Sequence, residues 1–136
     1  TTLYDGLDRL GSLIAYLKAT PYKNTGKSTW EHTTLIAFSE FARTPLPNGR
    51  DGRDHHQATC ALLAGPKITG NIVIGGTDDN NMTARKVDFA TGLPDDESGV
   101  TLRPTDIHAT LLESMGLSYE HLSNQTPQVI PALLEA

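Results

Sequence analysis

Two short apolar segments, separated by a long polar one, constrain the fold of this chain most. Residues 34–38 (Thr-Leu-Ile-Ala-Phe) and residues 58–64 are dominated by apolar side chains, as are strands covered on both faces of a sheet. A third apolar run, at residues 71–74, is flanked by glycines and indicates another short strand. An edge strand is predicted around residues 87–90. Because these segments alternate with helical ones, we predict an α/β fold around a mostly parallel sheet.

Two helices are predicted at the two ends of this pattern. Five apolar residues recur at helical spacing near the start of the chain and end at the Thr20-Pro21 step: Leu3, Leu7, Leu10, Ile14 and Leu17. A second helix is predicted from Thr105, as N-cap, to Gly116, as C-cap. Within it, Asp106 is interpreted as a charge at the helix start and His108 as a partly buried structural residue.

The size and charge of the chain exclude several classes of protein. With 136 residues it is expected to form one domain, spanning residues 1–136. A formal charge of −5 argues against non-specific nucleic-acid binding, which needs a basic surface. Its apolar runs are too short for a membrane helix. Since the chain opens on Thr1 and not Met, a leader or a larger N-terminal region is expected to be missing. The single cysteine, Cys60, is predicted to be buried in a strand.

The polar segment between the first two predicted strands carries the candidate chemistry. Between residues 40 and 56 lie three acids, three arginines and two adjacent histidines: Glu40, Asp51, Asp54, Arg43, Arg50, Arg53, His55 and His56. Loops that follow buried strands are where open α/β sheets place their sites. Carboxylate with imidazole is a ligand set for zinc, manganese or iron, and arginine binds the oxyanion of a phosphate or sulfate.

A simpler interpretation stays open, in which residues 39–57 form a solvated loop whose charges neutralise each other. His55 and His56 would point in opposite directions in an extended segment, so at most one of them is expected to be a ligand. The acidic stretch at residues 77–81 is interpreted as a turn that forms for backbone reasons, with a cation site as the alternative.

The same segment resembles a bacterial family known as domain of unknown function 1501. The family pattern is an apolar strand followed by Ser-Glu-Phe-Gly-Arg-Thr, then Asn and Gly-Arg-Asp-His-Trp. Here residues 34–44 match it, as do Asn48 and residues 52–55, with Ala42 in place of the glycine and His56 in place of the tryptophan. His55 is therefore the better carried-over histidine. The likeness continues through residues 64–78 and 104–116.

That family is considered a member of the alkaline phosphatase and sulfatase superfamily. The resemblance implies the C-terminal part of a three-layer α/β sandwich, in a periplasmic or secreted protein acting on a small anionic ester or a glycan. It implies a divalent metal (zinc, manganese or calcium). The implied metal ligands are Glu40, Asp54 and His55, with Arg43 and Arg53 orienting the substrate or the carboxylates.

The same mapping also limits the expected activity. Phe41 stands where the superfamily has a metal-binding histidine, and no nucleophile of the superfamily's type is evident in the chain. We therefore expect the fragment itself to be inactive. The rival hypothesis is a non-catalytic binding or structural domain, in which Glu40, Arg43, Arg53 and Asp54 form a salt-bridge network.

Overall fold

The structure, a computed structural model, describes residues 2–121 and 126–135. Helix α1 covers Thr2–Ala19 and helix α2 covers Pro104–Ser114. The strands are β1 (Leu35–Phe38), β2 (Ala42–Arg43), β3 (His55–His56) and β4 (Ala61–Ala64), and single 3₁₀ turns lie at Trp30–His32 and Pro131–Leu133. Among the described residues, no helix is long and apolar enough to cross a membrane.

Helix α1 confirms the predicted N-terminal helix. It ends before Pro21, and the Thr20 hydroxyl donates to the Tyr16 carbonyl oxygen at 2.7 Å. The carbonyl of Thr20 in turn accepts the N–H of Thr29 at 2.7 Å, which closes the polar loop that follows. None of the residues of α1 is buried.

The strands are paired differently from the prediction. β1 pairs with β4 antiparallel, from Leu35 opposite Ala64 to Phe38 opposite Ala61, and β2 pairs with β3 antiparallel. The fold is thus mixed α/β, as predicted, but each described pair of strands is antiparallel where parallel pairing was predicted. The physical reason is that the chain reverses between β1 and β4 by way of the β2–β3 hairpin, which brings β4 back alongside β1.

Four local predictions also need correction. Residues 71–74 form no strand, and Val87 makes only isolated bridges, to Pro94 and Val100. Cys60, predicted to be buried in a strand, is exposed and lies one residue before β4. β1 is not covered on both faces, since Phe38 is 69% exposed.

The core is formed by residues outside α1. Val87, Phe89, Ile130 and Leu133 form the buried apolar cluster, and Ile74, Leu102 and Ile107 are among the residues packed against it. The Ala132 N–H donates to the Phe89 carbonyl at 3.1 Å, and the Thr69 N–H donates to the Leu133 carbonyl at 2.9 Å. Residues 128–133, called the tail below, therefore hold the middle of the chain against α2.

Helix α2 begins at Pro104, and its N-cap is Arg103, two residues before the predicted N-cap Thr105. Gly116 follows its end with φ of 71°, a left-handed conformation that suits glycine after a helix. His108, predicted to be partly buried, is exposed, because the buried face of α2 is formed by Asp106, Ala109, Thr110 and Ser114.

Candidate functional site

The polar segment at residues 39–56 is a hairpin. Its ladder joins Ala42 to His56 and Arg43 to His55. The pairing extends by one residue, because the Thr44 N–H donates to the Asp54 carbonyl at 2.9 Å and the Asp54 N–H donates to the Thr44 hydroxyl at 3.1 Å. Residues 45–53 form the tip. The segment predicted to carry chemistry is therefore held by backbone pairing.

Asn48 organises the hairpin tip. Its side-chain oxygen accepts the N–H groups of Arg50 at 3.0 Å and Gly52 at 3.1 Å. Its side-chain nitrogen donates to Oδ1 of Asp54 at 2.8 Å. Asp51, between Arg50 and Gly52, has a φ of 55°, which the tight turn requires. One side chain thus positions both the backbone of the tip and the carboxylate of Asp54.

The two arginines bind backbone carbonyl oxygens. Nη1 of Arg43 donates to the Arg53 carbonyl at 3.0 Å. Nη1 of Arg53 donates to the Thr44 carbonyl at 2.8 Å and also contacts the Pro45 carbonyl. The arginines therefore cross-link the hairpin, and each leaves its remaining guanidinium nitrogens directed to no hydrogen-bond partner among the described residues.

An aromatic layer covers one face of the hairpin. The rings of Phe41 and His55 are stacked, with 3.7 Å between their centroids and 19° between their planes. The guanidinium carbon of Arg43 lies 4.8 Å from the centroid of Phe41, a cation–π distance. Arg43 and His55 are exposed and lie opposite each other in the ladder. This face therefore presents a permanent cation beside an imidazole.

His56 faces away from this layer and is fully engaged. Its Nδ1 accepts the Ala58 N–H at 3.2 Å, and its Nε2 lies 2.9 Å from the carbonyl oxygen of Asn81. Those contacts fit the neutral imidazole with its proton on Nε2. The imidazole of His55, by contrast, has no hydrogen-bond partner within the described part of the chain. The geometry thus distinguishes the two histidines, which the residue order alone did not.

The turn that receives His56 is held by Asp78. Its Oδ1 accepts the N–H groups of Asn80 and Asn81, each at 2.8 Å, and its Oδ2 accepts the Thr83 hydroxyl. The Thr83 hydrogen bond, followed by those of the two amides, lowers the pKa of Asp78 from its ordinary value. These contacts support the interpretation of residues 77–81 as a backbone turn.

Residues 23–129 match the family described as protein of unknown function (DUF1501). The chain belongs to this family. No curated protein and no solved structure gives a match. The match spans the whole hairpin, β4 and α2, so the candidate site lies within the matched DUF1501 residues.

Glu40 lies apart from the contacts that organise this DUF1501 hairpin. It is exposed, and among the described residues its carboxylate has one hydrogen-bond partner, the Ser39 hydroxyl at 3.5 Å. That hydroxyl donates to the Phe41 carbonyl at 2.9 Å. The described residues contain no group of three His, Cys, Asp or Glu side chains that could hold a metal. Glu40, Asp54 and His55 therefore do not form a complete ligand set by themselves.

The expected salt-bridge network is also not formed. Within residues 2–121 and 126–135, the ion pairs are Arg85 with Asp96 at 2.8 Å and Arg103 with Asp106 at 3.2 Å. The hairpin arginines bind carbonyl oxygens, and Asp54 binds the amide of Asn48. Neither arginine is neutralised by a carboxylate of the described chain.

Sequence reasoning missed two residues of the site. Asn48 belongs to the family pattern, and Asn-Gly in a polar segment is also a turn signal that indicates its role at the tip. Phe41 stands where the superfamily has a histidine, and the residue order gives no signal of its stacking on His55.

Proposed function

We propose that this DUF1501 chain is the C-terminal portion of a metal-dependent hydrolase-like protein of the phosphatase and sulfatase type, built on a three-layer sandwich. The observation that supports this best is the position of Arg43 beside His55, opposite each other on the exposed face of the hairpin. In this proposal the hairpin supplies the part of the site that binds the oxyanion of a small ester or of a sulfated glycan.

The charge of the hairpin face supports an anionic ligand. Arg43 and Arg53 each use Nη1 on a carbonyl oxygen, which fixes the side chain and leaves other N–H groups to donate. Guanidinium groups bind phosphate and sulfate oxygens in a planar, two-point geometry. Because no carboxylate of the described residues pairs with either arginine, an arriving anion has no ion pair to displace. His55 adds a neighbouring nitrogen.

Asp54 and His55 are the residues proposed to reach a metal. Carboxylate oxygen with imidazole nitrogen suits zinc or manganese, and carboxylates suit calcium. A bound metal would polarise the ester oxygen and stabilise the charge that develops there. Asn48 holds Oδ1 of Asp54 and so orients this carboxylate, as a partner behind a metal ligand commonly does. Glu40 is the third residue proposed here to reach the metal. Since the described residues contain no complete ligand group, the proposal also requires ligands from outside them.

The chain by itself is proposed to be inactive. The Ser39 hydroxyl donates to the Phe41 carbonyl at 2.9 Å and lies 3.5 Å from the Glu40 carboxylate. Among the described residues, no imidazole or amine lies within hydrogen-bond distance of it, so the usual base for a serine nucleophile is not in place. A periplasmic or secreted location is proposed from the family resemblance alone.

A second candidate function is a non-catalytic binding domain. Phe41 favours it, because its ring covers one face of the His55 imidazole and stands where the superfamily has a metal ligand. In that case the same cationic face would bind an anionic glycan or ester without turning it over.

The decisive test is a titration of the chain with inorganic phosphate and with sulfate, followed by NMR of the histidine resonances. We expect His55 to shift and His56 to stay unchanged. Arg43→Gln should weaken anion binding by about tenfold or more, which is the loss of one good charge-assisted contact. Arg85→Gln is the matched control, since Arg85 pairs with Asp96 outside the hairpin. Equal losses in both variants, or no shift at His55, would contradict the proposal.

A second measurement separates the two candidate functions. A longer protein containing this chain is assayed with zinc, manganese or calcium on p-nitrophenyl phosphate and p-nitrophenyl sulfate. Metal-dependent hydrolysis that is lost in Asp54→Asn supports the hydrolase. Anion binding at His55 without hydrolysis under any of the three metals supports the binding domain instead.

A further inference from the structure

The sequence contains one Asn-Gly pair, Asn48 with Gly49, and the structure places it at the hairpin tip. In such a pair the backbone nitrogen of the glycine can bond to the side-chain carbonyl carbon of the asparagine and close a five-membered imide ring. This reaction requires a nitrogen that no hydrogen bond holds and a second residue that does not crowd the approach. The contacts of Gly49 therefore decide whether the ring can close.

Gly49 leaves its nitrogen open to react. It is exposed, and a Cβ atom built on it meets no atom within 4 Å. Its N–H makes no hydrogen bond with the described residues. The N–H of Asn81, which follows Asn80, is by contrast accepted by Oδ1 of Asp78 at 2.8 Å. Of these two asparagines, Asn48 is therefore the one that precedes a free nitrogen.

The side chain of Asn48 is polarised at the carbon that this nitrogen would attack. Its Oδ1 accepts the N–H groups of Arg50 at 3.0 Å and Gly52 at 3.1 Å. Two backbone N–H groups on one carbonyl oxygen stabilise the negative charge that the oxygen gains when a nucleophile adds to its carbon. Its Nδ2 donates to Oδ1 of Asp54 at 2.8 Å, which fixes the amide group. The hairpin tip therefore stabilises the intermediate of ring closure.

We propose that Asn48 is a site of self-modification, at which the folded chain loses the side-chain amide through an imide with Gly49. The Gly49 nitrogen gives its proton to hydroxide and bonds to Cγ of Asn48, and the C=O electron pair moves to Oδ1. When that pair returns, the Cγ–Nδ2 bond breaks, and the nitrogen takes a proton from water and leaves as ammonia. A water molecule then opens the imide at one of its two carbonyls, which gives aspartate or isoaspartate at position 48. The net reaction consumes one water and releases one ammonia.

The modification changes the surroundings of Asp54. The nitrogen that donates to Oδ1 of Asp54 is lost and a carboxylate takes its place, so two negative charges lie where a hydrogen bond was. The chain, whose formal charge is −5, gains one further negative charge. The added charge lowers the affinity of the hairpin for phosphate or sulfate, a consequence that rests on the proposed function. The modification itself does not depend on that function.

Tandem mass spectrometry of peptides from the folded chain, incubated at mildly alkaline pH, tests this proposal. We expect Asn48 to exchange its amide NH₂ for OH, and Asn80 to keep its amide over the same time. Gly49→Ala should slow the reaction by about tenfold or more, because its methyl group hinders the approach of the nitrogen. The matched control is Gly70→Ala, since a Cβ at Gly70 also meets no atom within 4 Å.

Unfolding in urea separates the effect of the folded tip from that of the residue pair itself. In urea the N–H groups of Arg50 and Gly52 no longer bind Oδ1 of Asn48, so the reaction there should be several-fold slower than in the folded chain. A folded chain that keeps the amide of Asn48, or loses it no faster than the chain in urea, would overturn the proposal. So would equal rates in Gly49→Ala and Gly70→Ala. Modification at the expected rates with no change in phosphate affinity would support this proposal and contradict the proposed anion site.

Discussion

Asp106 and Gln128 are joined by a hydrogen bond of 2.9 Å, from the N–H of Gln128 to Oδ1 of Asp106. The same carboxylate accepts the Arg103 N–H on Oδ2 at 2.9 Å, and the Arg103 guanidinium contacts both oxygens. Only 1% of Asp106 is exposed. One buried charge therefore ties the first turn of α2 to the tail that completes the core.

We expect Asp106→Asn to lower the free energy of unfolding by about 2 to 3 kcal/mol. The asparagine side chain keeps the shape but places an N–H₂ group where the carboxylate accepted N–H donors. Hydrogen bonds to a charged group are each worth about 2 to 3 kcal/mol. Urea unfolding followed by circular dichroism measures the change. The control is Asp96→Asn, whose exposed pair with Arg85 is worth about 0 to 1 kcal/mol. Equal effects of the two substitutions would contradict this role of Asp106.

Gly99 lies too close to the backbone for a side chain. A Cβ atom there would lie 2.3 Å from the carbonyl oxygen of Asp95 and 2.8 Å from the carbonyl carbon of Val87. We expect Gly99→Ala to destabilise the chain by about 1 to 3 kcal/mol, the usual cost of overpacking. Gly49→Ala is the matched control, because a Cβ at Gly49 meets no atom within 4 Å. Thermal unfolding gives the Tm of both variants. A Tm for Gly99→Ala as high as that of Gly49→Ala would contradict the close backbone approach at Gly99.

Asp78 should make the stability of the chain depend on pH in the acid range. Its pKa is lowered in the folded state by the Thr83 hydroxyl and by backbone amides, from an ordinary value of 3.8. The stabilisation is therefore complete above that unfolded-state value and is lost as the pH falls through the lower folded-state pKa. In Asp78→Asn, the stability should fall less between pH 5 and pH 2 than in the unchanged chain. An identical pH dependence in the two proteins, measured by urea unfolding, would contradict it.

Arg53 should hold the hairpin tip in place. Arg53→Met removes the hydrogen bonds to the carbonyls of Thr44 and Pro45 while keeping most of the apolar stem. We expect the Thr44 amide to exchange with solvent several-fold faster, with a loss of about 0.5 to 1 kcal/mol of local stability. Arg50→Met is the control, because no hydrogen bond of the Arg50 side chain exists in the described chain. NMR hydrogen exchange measures the Thr44 amide rate in both variants. An unchanged rate in Arg53→Met would contradict the role of Arg53 in holding the hairpin tip.

The helices were predictable because their signals are local. The apolar spacing that ends at Thr20-Pro21 and the closing Gly116 depend on neighbours a few residues away, and α1 and α2 follow them. Strand pairing is not local. Residues 34–38 and 58–64 indicated strands correctly, but their antiparallel partnership depends on how the hairpin between them reverses the chain. Apolar content alone does not show which edges meet.

The site was predictable in its location but not in its contacts. The cluster of charges at residues 40–56 suggested ion pairs, yet Arg43 and Arg53 bind backbone carbonyls. A carbonyl oxygen is present at every residue, so the sequence does not indicate which of them an arginine will bind. The hydrogen bond from Asn48 to Asp54 likewise depends on the turn at the hairpin tip.

The buried cluster of Val87, Phe89, Ile130 and Leu133 has a consequence for biosynthesis. About forty residues separate the first pair from the second, and a ribosome adds roughly 5 to 20 residues per second. The first pair therefore leaves the ribosome seconds before its partners exist. During that interval the nascent chain exposes apolar surface, and chaperone capture or premature association competes with folding until Leu133 has emerged.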